Sequence, residues 1–214
     1  MLVMPVKPAL SEKYIKEVKY LYYNKGYSAR EIADKIGVSL DAVFSFMRRH
    51  SLERRSFEES NRIRFKRKAL SYRLKKGLTR REKQLKTAGV MLYWAEGSKS
   101  NPSKRSWTVD FANSNPEMIK LFLRFLRIIC GVDEKRIRIY LYAYADQDIE
   151  TLKRYWQKIT DISLKQFTKP YIRQDFLPEK SGKMKHGLVH VRYADKKLLL
   201  QIEEWIKKYL DNNL

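Results

Sequence analysis

Residues 136–144 alternate with a period of two: Ile137, Ile139, Leu141 and Ala143 point to one side, and Arg136, Arg138, Tyr140, Tyr142 and Tyr144 to the other. A strand written this way is buried on one face only. Its sheet must carry helices on the apolar side and stay open on the other, which excludes an all-helical chain and a doubly covered parallel sheet. The open side here is basic and aromatic. Further strands are expected over residues 107–112, 169–175 and 187–193, with Lys169, Tyr171, Arg173, His190 and Arg192 as outward positions. Amphipathic helices are expected from Thr79, after Asn115-Pro116, from about Asp148, and from Asp195 to the end of the chain. An antiparallel sheet presenting Arg and Tyr can read base edges as a β-ribbon in the major groove.

The charge of the chain asks for a polyanion. Forty-six Lys and Arg stand against 24 Asp and Glu, a formal net charge of +22 in 214 residues. Such a surplus costs self-repulsion unless a partner neutralises it, and nucleic acid is the commonest such partner. Between Leu52 and Thr87 fourteen basic residues face four acidic ones, which reads as a phosphate-tracking connector. An ion-pair-rich surface would need the two signs in balance. With 43% hydrophobic and 13% aromatic residues the chain can fill a core. No run of 18 apolar residues is present and the first residues lack a signal-peptide layout, so a cytoplasmic, nucleoid-associated protein with no membrane role is expected. The single Cys130 rules out an internal disulfide, and with three scattered histidines it rules out a Cys/His zinc cluster.

The first fifty residues are written as three short helices. Tyr14, Ile15, Val18, Leu21 and Tyr22 recur at helical spacing before the stop at Asn24-Lys25-Gly26. Ser28-Ala-Arg-Glu31 is a capping box that starts a second helix, with Ile32, Ala33 and Ile36 on one face and Gly37 at its end. Val38 plugs the corner, Ser39 caps, and a third helix buries Ala42, Val43, Phe46 and Met47. Over about twenty-five positions this layout resembles the helix-turn-helix family, in which the last helix lies in the major groove. The resemblance makes Ser39, Leu40, Asp41, Phe44 and Ser45 candidate base readers and puts Arg48, Arg49 and His50 near the backbone. A plain three-helix bundle or a protein-binding module is the bland alternative.

The helix opened by the Thr79–Glu82 capping box runs through Leu85, Ala88, Leu92 and Ala95 and ends in Glu96-Gly97. An acid at a helix C-terminus is unfavourable unless a cation or metal compensates it. Leu92, Ala95, Glu96 and Gly97 resemble the defining helix of the LAGLIDADG endonucleases, with Glu for the commoner Asp and with Tyr93-Trp94 departing from the pattern. The resemblance spans roughly residues 79–214 and contains one motif. It implies an α+β chain: an N-terminal three-helix helix-turn-helix domain (residues 1–52), a basic linker (53–78), and an αββαββα half-domain (79–214) with an antiparallel, saddle-like sheet. It further implies a homodimer through Ala88, Leu92 and Ala95, acting on double-stranded DNA, with a Mg²⁺ ion held by Glu96 and the Ala95 carbonyl. The positions that fall where the family keeps other catalytic groups are Asn113 and Arg192, and Lys99 stands three residues after the acid. Asp110 reads as an outward polar residue on a strand.

Two functions therefore compete. One is a homing-type endonuclease that cuts a near-palindromic site. The other is a non-catalytic regulator of the kind formed by the bacterial WhiA regulators, which also join a helix-turn-helix to LAGLIDADG-like domains. An RNA maturase fits less well, because the A-form major groove is too narrow for a recognition helix.

Overall fold

A computed structural model describes residues 10–101, 107–173 and 184–213. The chain divides into two compact units, residues 1–69 and 70–214.

In the first unit, helix α1 (Ile15–Lys19) runs on through a π-helical turn (Tyr20–Asn24), followed by α2 (Ala29–Ile36), α3 (Leu40–Arg49) and α4 (Phe57–Arg67). Val18, Leu21, Ile32, Val43, Phe46 and Met47 form its core. The expected punctuation is present. Ser28 Oγ accepts from the Glu31 amide while Glu31 accepts from the Ser28 amide at 2.7 Å, and Gly37 adopts φ 81° so that the Gly37 and Val38 amides both reach the Ala33 carbonyl. Ser39 Oγ accepts from the Ala42 amide at 3.1 Å and starts α3.

α4 lies inside the stretch expected to be a basic linker. Its sequence buries no residue and has almost no apolar face, so periodicity gives no signal for it. It is held by contacts instead. Arg67 donates to the Gly26 carbonyl at 2.7 Å, pairs with both carboxylate oxygens of Glu31 at 3.0 and 3.1 Å, and lies over the Tyr27 ring. Ile63 covers Gly26, whose φ of 68° and lack of a side chain permit the approach: a Cβ there would lie 2.6 Å from Ile63 Cγ2.

The second unit is a four-stranded sheet with helices on one face. Its elements are α5 (Arg80–Glu96), β1 (Val109–Asn113), α6 (Pro116–Arg124) with a π-helical continuation (Phe125–Cys130), β2 (Arg138–Tyr144), α7 (Ile149–Thr160), β3 (Tyr171–Arg173), β4 (Leu188–Tyr193) and α8 (Lys196–Asp211). The strand order is β1-β4-β2-β3. β4 pairs antiparallel with both β1 and β2, whereas β3 pairs parallel with β2. The expected all-antiparallel sheet is therefore mixed. The cause is α7: its helix crosses over between β2 and β3, and a helical crossover returns the chain to run in the same direction. The expected αββαββα order is broken by α6, which stands between β1 and β2 and makes the observed order αβαβαββα. After α5, pairing before β1 is limited among the described residues to Gly97 opposite Phe111, with the Ser98 amide on the Asp110 carbonyl.

The core lies between sheet and helices: Phe111, Ile139, Leu141, Val189 and Val191 from the strands meet Tyr93, Phe122, Phe125, Leu126, Trp156, Leu198 and Ile202 from the helices. α5 approaches the π-helical segment closely because Gly89 carries no side chain, and a Cβ there would lie 2.2 Å from the Phe125 ring. The rest of the expected linker belongs to this unit. The Arg73 amide donates to the Gly131 carbonyl and the Lys75 amide to the Ile129 carbonyl, Tyr72 bridges to Val132, and Ser71 Oγ donates to the Asp195 carboxylate at 2.5 Å.

Candidate nucleic-acid interface

α3 is oriented by its buried face. With Val43, Phe46 and Met47 inward, Asp41, Ser45 and Arg48 are exposed at i, i+4 and i+7 and form one stripe along the helix. The other expected readers have local duties. Ser39 is the N-cap, and Leu40 and Phe44 are half-buried against the core, with the Arg54 guanidinium over the Phe44 ring at 4.4 Å. Arg49 turns back to the Leu10 carbonyl at 3.2 Å, and the His50 ring packs tilted against Phe46.

In the second unit the open face of the sheet is built by alternation. Asp110 of β1, His190 and Arg192 of β4, and Arg138, Tyr140, Tyr142 and Tyr144 of β2 all lie opposite the buried positions. Tyr171 of β3 joins them, stacked on Tyr142 with ring centres 4.9 Å apart, and Arg173 lies opposite Tyr144 in the register. Two expected members are elsewhere. Arg136 ends a 3₁₀ turn (Glu134–Arg136) before β2, donates to the Ala194 carbonyl at 2.9 Å and covers the Tyr193 ring. Lys169 is exposed in the loop before β3. Both corrections arise because strand pairing starts later than the alternation does. The end of the expected strand 169–175 lies outside the described residues.

Across β1 and β4 this face carries an ion-pair cluster that alternation alone does not reveal. The register sets Asp110 opposite Arg192, and the carboxylate takes His190 Nδ1 on one oxygen and Arg192 Nε on the other, each at 2.8 Å. Arg192 also lies over the Tyr140 ring at 4.4 Å. Burial alone would raise the Asp110 pKa. The hydrogen bond and charge of His190, then Arg192, outweigh it and hold the carboxyl below its ordinary value. The pairing thus contributes stability that is full above the ordinary carboxylate pKa and is lost as pH falls through the lowered folded-state value. Acid unfolding followed by circular dichroism should show Asp110→Asn lowering stability at neutral pH and losing part of the wild-type slope at acid pH. Parallel wild-type and variant profiles would refute this role.

Glu96 is exposed at the end of α5 and enters no ion pair among the described residues. Lys99 caps the same helix end, with its ammonium on the carbonyls of Trp94 at 2.5 Å, Gly97 at 2.9 Å and Tyr93 at 3.5 Å. This supplies the cation that a helix C-terminus favours. Asn113 Oδ1 accepts from the Asn115 amide at the turn into α6, and Arg192 is held by Asp110. Ala88 and Leu92 are half-buried, while Ala95 is exposed beside Trp94. Magnesium takes an octahedron of oxygens. One chain offers it the Glu96 carboxylate and the Ala95 carbonyl, and no group of three or more His, Cys, Asp or Glu among the described residues is placed to hold a metal.

The first unit has the capped helices, glycine corner and exposed third-helix stripe of a helix-turn-helix domain, the class of small helical modules that enter the major groove of DNA. A family model described as "Putative helix-turn-helix protein, YlxM / p13 like" matches residues 8–90, less than half of the chain. No curated protein and no solved structure matches the sequence. No helix among the described residues is long and apolar enough to cross a membrane.

Proposed function

We propose that this protein binds double-stranded DNA at specific sites through two surfaces, the Asp41-Ser45-Arg48 stripe of α3 and the open Arg- and Tyr-rich face of the sheet. The observation that carries the reading is the sheet face itself. Tyr140, Tyr142, Tyr171, Arg138, His190 and Arg192 stand together on strands that leave their other side in a core. A protein that needed the sheet only for stability would not place so much aromatic and cationic surface there. Phosphate contacts from the surplus of positive charge supply affinity, and base-edge contacts from the two surfaces supply specificity.

The finer reading is cleavage by a homodimer paired through Ala88, Leu92 and Ala95 of α5. It rests on Glu96 standing exposed and unpaired at the end of that helix, and on a second copy being the source of the carboxylate that one chain lacks. The rival is a regulator that binds without cutting. It is favoured by the same single carboxylate and by Lys99, whose ammonium is spent on helix carbonyls.

One experiment separates them. Wild type, Glu96→Gln and Arg48→Ala are incubated with a randomised duplex library and Mg²⁺, and bound and cut DNA are sequenced. Cuts at one near-palindromic site that vanish in Glu96→Gln establish the nuclease, and an enriched site without cuts establishes the regulator. Arg48→Ala should weaken binding and lower the slope of log affinity against log salt by about one. No enriched sequence, or affinity indifferent to salt, would overturn DNA binding altogether.

A further inference from the structure

The helical side of the second unit holds a cleft that DNA binding does not use. α5 contributes Lys83, Lys86, Thr87, Val90 and Met91, α8 contributes Trp205, Lys208 and Tyr209, and Asn212 and Asn213 follow at its C-terminal end. Within each helix the lining residues are spaced i, i+3, i+4, so each presents one face and the cleft runs between them. Its volume is about 460 Å³, within the range of small-molecule sites.

The lining is chemically divided. Val90 and Met91 form an apolar floor, and Trp205 and Tyr209 supply aromatic wall. Lys83, Lys86 and Lys208 supply three ammonium groups, and no Asp or Glu lines the cleft. Lys208 is paired with Glu204 at 2.6 Å. Lys83 and Lys86 enter no ion pair among the described residues. The Lys86 ammonium is held 4.2 Å over the Trp205 ring. Burial lowers the Lys86 pKa, with Cys130 opposing the shift and Lys208 adding to it. At the far end Asn213 is fixed by its amide on the Tyr209 carbonyl at 2.7 Å, next to Asn212.

We infer that this cleft binds a nucleotide, with its phosphates on Lys83 and Lys86 and its base against Trp205 and Tyr209. A simple anion would engage the lysines and leave the exposed Tyr209 ring idle, and an apolar ligand would leave Lys83 without counter-charge. A planar base joined to a phosphate chain meets both demands. Stacking on Trp and Tyr tolerates any base, and the Asn212 amide offers a donor and an acceptor for a base edge. The same chemistry could come from DNA, but the cleft lies within the helical layer and not on the open face of the sheet, which assigns it to a free nucleotide.

Calorimetry with ATP on the full chain tests this. The expected result is saturable binding at one site per chain, weakened about tenfold or more in Lys86→Gln, the share of one charge-assisted contact. Lys207→Gln makes the same charge change on α8 outside the cleft and should leave binding unchanged. Trp205 packs on Phe125, so the aromatic half is tested through the ligand: adenosine and inorganic triphosphate should each bind far more weakly than ATP. Triphosphate binding as tightly as ATP would overturn the nucleotide assignment, and equal losses in the two lysine variants would overturn the site. ATP binding should survive saturation with a short DNA duplex. Displacement by the duplex would transfer the site to the DNA interface and overturn the free-nucleotide reading.

Discussion

Trp156→Ala should remove about 3–5 kcal/mol from the stability of the second unit. Trp156 is fully buried on α7, and its indole nitrogen donates to the His186 carbonyl at 2.6 Å, tying the helix to the turn that leads into β4. Alanine removes the largest buried side chain in the unit and also leaves that carbonyl without its donor. Total domain stability is commonly about 5–15 kcal/mol, so the loss is a large part of it. Urea unfolding followed by far-UV circular dichroism gives the check. A midpoint unchanged from wild type would mean that the α7–β4 contact is not part of the cooperative core. Trp156→Phe keeps most of the apolar volume and should lose distinctly less.

The second large effect is expected at Gly131. This residue ends the π-helical continuation of α6 with φ 58°, and a Cβ on it would lie 2.2 Å from the Arg73 carbonyl oxygen. Two costs add in Gly131→Ala. A left-handed conformation for a residue with a side chain costs about 1–2 kcal/mol, and forcing an atom into a closed contact costs about 1–3 kcal/mol more. The obstacle is backbone and cannot rotate away, so residues 71–75 must shift and the Arg73 amide must leave the Gly131 carbonyl. The expected outcome is a loss of about 2–5 kcal/mol, with faster amide hydrogen exchange at Arg73 and Lys75. Unchanged exchange there would show that the 71–75 segment is not held by this contact. Gly77, also at positive φ, has open space around its Cα, so Gly77→Ala isolates the conformational part alone.

The sequence determined the local grammar of this protein. Ser28, Thr79, Asn115, Asp148 and Asp195 each start a helix, Gly37 and Gly131 end one in the left-handed conformation, and the alternation in residues 138–144 separates core from open face. Each depends on contacts between residues close in the chain, so a linear reading finds it. The +22 charge and the exposed stripe on α3 follow from the same kind of reading. Four things were decided only in three dimensions. α4 has no apolar periodicity; Ser56 caps it locally, but its place is set by Arg67, which reaches back 36 residues to Glu31. β3 is parallel because α7 carries the chain across the sheet. Asp110 becomes the hub of an ion-pair cluster because the register brings His190 and Arg192 to it from 80 and 82 residues away. Lys86 meets Trp205 because two helix stripes, each ordinary in sequence, face one another across a cleft. In every case the deciding energy is a pairing between distant residues, and one-dimensional spacing carries no record of which partner a side chain will meet.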